Sequence, residues 1–111
     1  MTNDSPASGF VEVAKLADIP DPGKQLCELD DRLVVVFHLD GSVFCLDDVC
    51  THDGGPLGEG TLVDSCIACP RHGAKFDVRT GAAMTMPATE ATQVHEVQVM
   101  NGRIFVRLIE D

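Results

Sequence analysis

A chain of 111 residues that is 44% hydrophobic holds one modest core and is too apolar for wholesale disorder. Its 8 basic residues against 18 acidic ones give a net charge of −10, a field that repels nucleic-acid backbones and anionic lipid surfaces and favours a partner with a basic docking face. No apolar run reaches the roughly 18 residues of a membrane span, and Met1-Thr2-Asn3-Asp4-Ser5-Pro6 carries no secretory signal, so a cytoplasmic location is expected.

Residues 1–9 are polar and rich in Ser, Pro and Gly, and read as a flexible terminus. Phe10–Lys15 alternates apolar and polar residues, as a strand does. Ile19-Pro20-Asp21-Pro22-Gly23 is a turn or loop. Lys24–Leu29 and Leu33–Leu39 flank Asp30-Asp31 and predict a hairpin. The run Leu33-Val34-Val35-Val36-Phe37 predicts a strand buried on both faces. Asp40-Gly41 turns the chain into Ser42–Leu46. Asn101-Gly102 joins Val94–Met100 to Arg103–Ile109, a strong hairpin signal. In the last strand Ile104, Val106 and Leu108 share one face, with Arg103 and Arg107 on the other. No stretch shows an apolar helical stripe, so an all-β fold is expected.

The middle differs in character. Residues 48–76 concentrate Gly, two prolines, three cysteines and two histidines, and read as a loop-built insert on a β base. The five cysteines are Cys27, Cys45, Cys50, Cys66 and Cys69. An odd number at uneven spacing argues against a disulfide framework, and clustered Cys and His in a reducing compartment point to metal. The chemistry sits in Cys50-Thr51-His52, sixteen residues, then Cys69-Pro70-Arg71-His72. Each half offers one thiolate and one imidazole, and Gly54, Gly55 and Gly73 beside them let backbone approach a metal closely. Structural zinc sites more often pair like with like, two Cys and then two His, or four Cys.

Two mixed pairs, one per loop, between β-strands, resemble the Rieske [2Fe–2S] family, in which two His replace two Cys on one iron. The resemblance spans residues 10–109. It implies a single domain over 1–111: an antiparallel β-sandwich or incomplete barrel from 10–47 and 78–109, with a smaller cluster-binding subdomain over 48–77. It implies one [2Fe–2S] cluster per chain, with Cys50 and Cys69 on the inner iron and His52 and His72 on the outer, electron-accepting iron. High-potential members carry an extra disulfide, whose positions are Gly55 and Arg71 here, and Ser and Tyr hydroxyls, whose positions are Ala74 and Phe76. Without those donors the reduced state loses stabilisation, so a potential on the order of −150 mV is expected.

What the resemblance implies is a monomeric electron carrier without catalysis of its own, like the soluble Rieske-type ferredoxins. Such a carrier takes electrons from a flavin-dependent NAD(P)H reductase and delivers them to a non-haem iron, ring-hydroxylating oxygenase. Three other readings remain: a Rieske module for iron–sulfur biogenesis or redox regulation, a component like the nitrite-reductase small subunit, and a zinc site built from Cys45, Cys50, Cys66 and Cys69. Otherwise Cys27, Cys45 and Cys66 read as small buried hydrophobes. His38 and His95 read as partly exposed strand residues. Arg71 is a docking contact or a solvated loop residue. Met86-Pro87-Ala88 is a candidate proline loop over the cluster. Asp30-Asp31, Asp47-Asp48 and Glu110-Asp111 read as solvated surface, with Asp47, Asp48 and Asp53 available for docking to a basic partner.

Overall fold

Three two-residue turns set the register of the base in this computed structural model, which describes residues 7–51, 55–71, 73–86, 88 and 90–109. Asp30-Asp31, Asp40-Gly41 and Asn101-Gly102 all have positive φ at both positions (52° and 63°, 52° and 79°, 53° and 74°). That geometry matches the twist of the strands on either side, and Asp and Asn tolerate it better than other side chains do. The turns join β2 (Gly23–Leu29) to β3 (Arg32–Leu39), β3 to β4 (Ser42–Asp47), and a later strand, Val94–Met100, to the last, Arg103–Arg107. The Asp21 carboxylate fastens the 19–22 loop over the second turn by accepting the Asp40 and Gly41 N–H groups at 2.9 and 2.7 Å.

In chain order the remaining elements are β1 (Val11–Lys15), a single 3₁₀ turn at Leu16–Asp18, β5 (Thr61–Val63), β6 (Cys66–Ala68) and β7 (Lys75–Asp77); the two late strands are β8 and β9. Six strands form one antiparallel sheet in the order β1-β9-β8-β4-β3-β2, and β5-β6-β7 form a second, smaller one. β1 also comes into contact with β2, so the large sheet nearly closes into a barrel. The junction between its halves is short: β4 pairs with β8 only through Cys45–His95 and Leu46–Val94. No helix among the described residues is long and apolar enough to cross a membrane.

β3 explains why its sequence is apolar without alternation. Val34 and Val36 point into the barrel with Cys27, Cys45, Ile104 and Val106. Val35, Phe37 and Leu39 point the other way, into a second core shared with Leu46, Leu57, Ile67, Phe76 and Val78. One strand therefore serves two cores, the geometry that a continuous Val-rich run anticipates. The second core is where the small sheet packs on the barrel. The middle of the chain, read from sequence as a loop-built insert, also holds β5, β6 and β7, each three residues long.

Candidate metal centre

The first candidate loop leaves β4 and returns to β5. Its limbs are tied by the Cys50 N–H donating to the Gly55 carbonyl at 2.8 Å. The segment before β8 braces it from outside: Thr92 Oγ1 donates to the Val49 carbonyl at 3.0 Å, and Thr51 Oγ1 donates to the Glu90 carbonyl at 2.6 Å. The second loop is the tip of the β6–β7 hairpin. There the Cys69 N–H donates to the Ala74 carbonyl at 2.7 Å and the Gly73 N–H to the Cys69 carbonyl at 2.9 Å. Gly73 has φ +74°, the left-handed conformation a side chain disfavours, and a glycine there lets the chain reverse within six residues. Residues 84 and 85 run along β7, with the Met84 N–H on the Lys75 carbonyl and the Lys75 N–H on Thr85 Oγ1.

These two loops bring Cys50 and Cys69 into the same core, 0% and 2% exposed, beside Leu57, Ala74, Phe76 and Ala88. His52 and His72 lie outside the described residues, as do Asp53, Gly54, Pro87 and Glu110-Asp111. None of the five cysteines is in a disulfide. The four-cysteine alternative is not assembled. Cys45 points into the barrel core while Cys50 and Cys69 lie in the other, and no three described His, Cys, Asp or Glu side chains converge. Burial, with the Cys27 and Asp47 charges adding to it, pushes the Cys45 thiol up to about 12, so it stays protonated. Burial also raises Cys27. At half-buried Cys66, desolvation and the Asp77 carboxylate raise the thiol as well. Cys27 and Cys45 thus behave as small apolar residues; Cys66 is more exposed than that expectation.

Beneath the first loop lies a polar network that the sequence reading placed on the surface. Arg32 grips Asp47 with two parallel hydrogen bonds, Nε to Oδ1 at 3.0 Å and Nη2 to Oδ2 at 2.9 Å. His95 Nε2 lies 2.7 Å from Asp47 Oδ1, and its Nδ1 accepts the Ile109 N–H at 2.9 Å. An acceptor Nδ1 fixes the proton on Nε2, which donates to the carboxylate. His95 is 4% exposed, which corrects the expectation of a partly exposed residue. Burial alone would raise the Asp47 carboxyl, but the hydrogen bonds and charges of Arg32 and His95 outweigh it and hold the group below its usual range. Asp48 is buried too, and its Oδ1 accepts the N–H groups of Leu57 and Gly58 at 2.8 and 2.5 Å. Neither carboxylate is a solvated docking charge. His38 is half-buried, as expected of it, with Nδ1 donating to the Ile19 carbonyl at 2.9 Å.

The donor set fits an iron–sulfur group. The two cysteines, one from each loop, lie in one apolar core, and cysteine thiolates are the ligands that such clusters take. Ala74 and Phe76 are fully buried in that same core. A nearly closed antiparallel barrel carrying a small, loop-tipped subdomain with paired cysteines defines an electron-transfer module. The Rieske [2Fe–2S] domain matches residues 9–100, and the chain belongs to that family. It is 35% identical over 100 residues, 89% of this chain and 94% of the relative, to the 3-phenylpropionate/cinnamic acid dioxygenase ferredoxin subunit of Photorhabdus laumondii. Its fold is similar to that of the ferredoxin of carbazole 1,9a-dioxygenase from Nocardioides aromaticivorans, with a TM-score of 0.86, 30% identity, and coverage of 90% of this chain and 98% of that one. A further similar structure, with TM-score 0.83, 28% identity, and coverage of 92% and 98%, is a complex of reduced oxygenase and oxidized ferredoxin in carbazole 1,9a-dioxygenase. The chain spans nearly the whole length of these relatives, which are ferredoxin components of dioxygenase systems.

Proposed function

We propose that this protein is the ferredoxin component of a Rieske-type aromatic ring-hydroxylating dioxygenase system, moving one electron at a time from a flavin-dependent NAD(P)H reductase to a non-haem iron oxygenase. Cys50 and Cys69 would hold the inner iron of one [2Fe–2S] cluster per chain, and His52 and His72 the outer iron. When bound, the cluster supplies one-electron redox chemistry, with neutral imidazoles placing less negative charge on the iron than thiolates would. The chain's own part is to fix geometry and exclude water. The hydrogen bonds from Cys50 to Gly55 and from Cys69 to Ala74 fix the loop ends that carry the cysteines, and Leu57, Phe76 and Ala88 share their water-excluding core. With Ala74 and Phe76 apolar, no hydroxyl at either position stabilises the added charge of the reduced state, which keeps the potential at the low end of the Rieske range, on the order of −150 mV. The protein works as a monomer in the cytoplasm, as transient shuttling between two partners favours, with 1–111 as one domain.

The observation that carries this reading is the burial of Cys50 and Cys69, from two separate loops, in a single apolar core. Reconstitution tests it. The purified protein replaces the ferredoxin subunit in a mixture of the reductase and oxygenase components of the 3-phenylpropionate dioxygenase system, and NADH-dependent product is measured. A red-brown protein taking up one electron per chain at low potential and restoring turnover is the expected result. A colourless protein without acid-labile sulfide overturns the proposal.

A further inference from the structure

We infer that Asp48 is a positioning residue that locks the two ligand loops to each other, and so sets the geometry around the cluster of the proposed function, on which this inference rests. Asp48 follows β4 directly and precedes Cys50 by two residues. Its own N–H donates to the Leu33 carbonyl at 3.1 Å, anchoring it to β3. Its side chain reaches across the loop and accepts two successive amides, Leu57 and Gly58, at 2.8 and 2.5 Å on the same oxygen. A buried carboxylate taking two backbone N–H groups is a strong, directional clamp, and removing it leaves a buried donor at Leu57 and a half-buried one at Gly58 without that partner.

The clamp reaches further than the first loop. A Cβ at Gly58 would lie 2.9 Å from Val35 Cγ2 and 3.0 Å from Asp48 Oδ1, so the return limb is pressed flat against β3 and the carboxylate. The Gly58 carbonyl in turn takes Lys24 Nζ at 2.5 Å. Two residues on, the Gly60 N–H closes a turn onto the Leu57 carbonyl at 3.0 Å. A Cβ at Gly60 would lie 1.9 Å from the Ala68 carbonyl oxygen, so the same limb rests on the backbone immediately before Cys69. The path is continuous: β4, Asp48, Leu57-Gly58, Gly60, Ala68, Cys69. Leu57 itself is fully buried in the core that holds both cysteines. One carboxylate thus holds the limb whose Leu57 shares a core with both candidate sulfur ligands and whose Gly60 abuts the residue before Cys69.

The test uses the intact holoprotein, Asp48→Ala and Asp48→Asn. Asn keeps an oxygen in the accepting position but carries no charge; Ala keeps neither. Asp48→Ala is expected to shift the reduced-state electron paramagnetic resonance line shape and to speed cluster loss to a chelator by about tenfold, the order expected for stranding buried amides. Asp48→Asn is expected to restore the wild-type line shape and lifetime. Independently of how Asp48→Ala folds, hydrogen–deuterium exchange of the 55–60 peptide in the wild-type holoprotein gives a second reading: the Leu57 and Gly58 amides are expected to be protected. Freely exchanging amides, an Ala variant with unchanged line shape and lifetime, or an Asn variant as impaired as Ala would overturn the inference. A wild-type protein lacking iron and sulfide would instead overturn the proposed function.

Discussion

The barrel and the cluster-binding subdomain are built on different terms. The barrel has strands of five to eight residues, tight turns of fixed register, and an interior of its own formed by Val34, Val36, Cys45, Ile104 and Val106. The subdomain has three strands of three residues each, and its apolar residues share a core with Val35, Phe37 and Leu39 of β3, Leu46 of β4, Ala88 and, at its margin, Val94 of β8. Strands of three residues are shorter than the usual length of roughly five or six. The subdomain packs its apolar face against the barrel and is tied to it through Asp48, and under the proposed function the cluster held by its cysteines would add a further link. The lesson is a division of labour. One region carries the stability, and the other is free to place ligands at loop tips.

That contrast is most severely tried by removing a sulfur. Cys50→Ser or Cys69→Ser is expected to abolish the cluster and to lower amide protection across 55–86, while the β8–β9 hairpin keeps its protection; hydrogen exchange resolved by peptide would show whether the two regions part company. Uniform loss over both would mean that they fold as one unit. Next in size is Phe76→Ala, which empties the shared core and is expected to cost about 3–5 kcal/mol in chemical denaturation. A loss below 1 kcal/mol would show that the subdomain does not lean on the barrel as described.

The Arg32–Asp47–His95 network marks the junction itself, joining β3, β4 and β8. Because the Asp47 carboxyl is held below its ordinary value of 3.8, its contribution to stability is complete above that value and disappears as the pH falls through the lower folded-state value. Asp47→Asn is expected to cost about 1–3 kcal/mol at neutral pH, with the difference from wild type shrinking in acid. Denaturation curves across pH 2 to 7, an interval spanning the ordinary carboxylate range of roughly 3.9 to 4.3, measure it, and a difference that grew toward acid would contradict the assignment. The smallest effect belongs to a turn. Gly102, at φ +74° with open space around it, is expected to lose about 1–2 kcal/mol on substitution by Ala, purely from the left-handed backbone, with the cluster's spectrum unchanged.

How much of this was legible beforehand follows the same division. Barrel hairpins could be read because Asp-Asp, Asp-Gly and Asn-Gly encode their own turns and the flanking residues are β-branched. The apolar run at 33–37 announced a strand buried on both faces, although Leu33 itself ends 48% exposed. The candidate ligand motif stood out because mixed Cys/His pairs at that spacing serve few purposes, and its two described members, Cys50 and Cys69, lie in one core. Asp47, Asp48 and His95 were not legible. Acidic pairs and a strand histidine usually face water, and what buries these is long-range: Arg32 from β3, the Ile109 amide, and two amides on the far limb of a loop. Their only signal lay in position, an Asp-Asp pair closing a strand directly before a ligand loop.

The central claim is mixed ligation: two thiolates on one iron and two imidazoles on the other. Electron nuclear double resonance on the dithionite-reduced protein, grown with ¹⁵N-labelled histidine, addresses it most directly. The account predicts two strongly coupled histidine nitrogens, with His52→Cys and His72→Cys each removing one or losing the cluster. A reduced cluster with no nitrogen coupling, or a protein holding zinc and no sulfide, would contradict it.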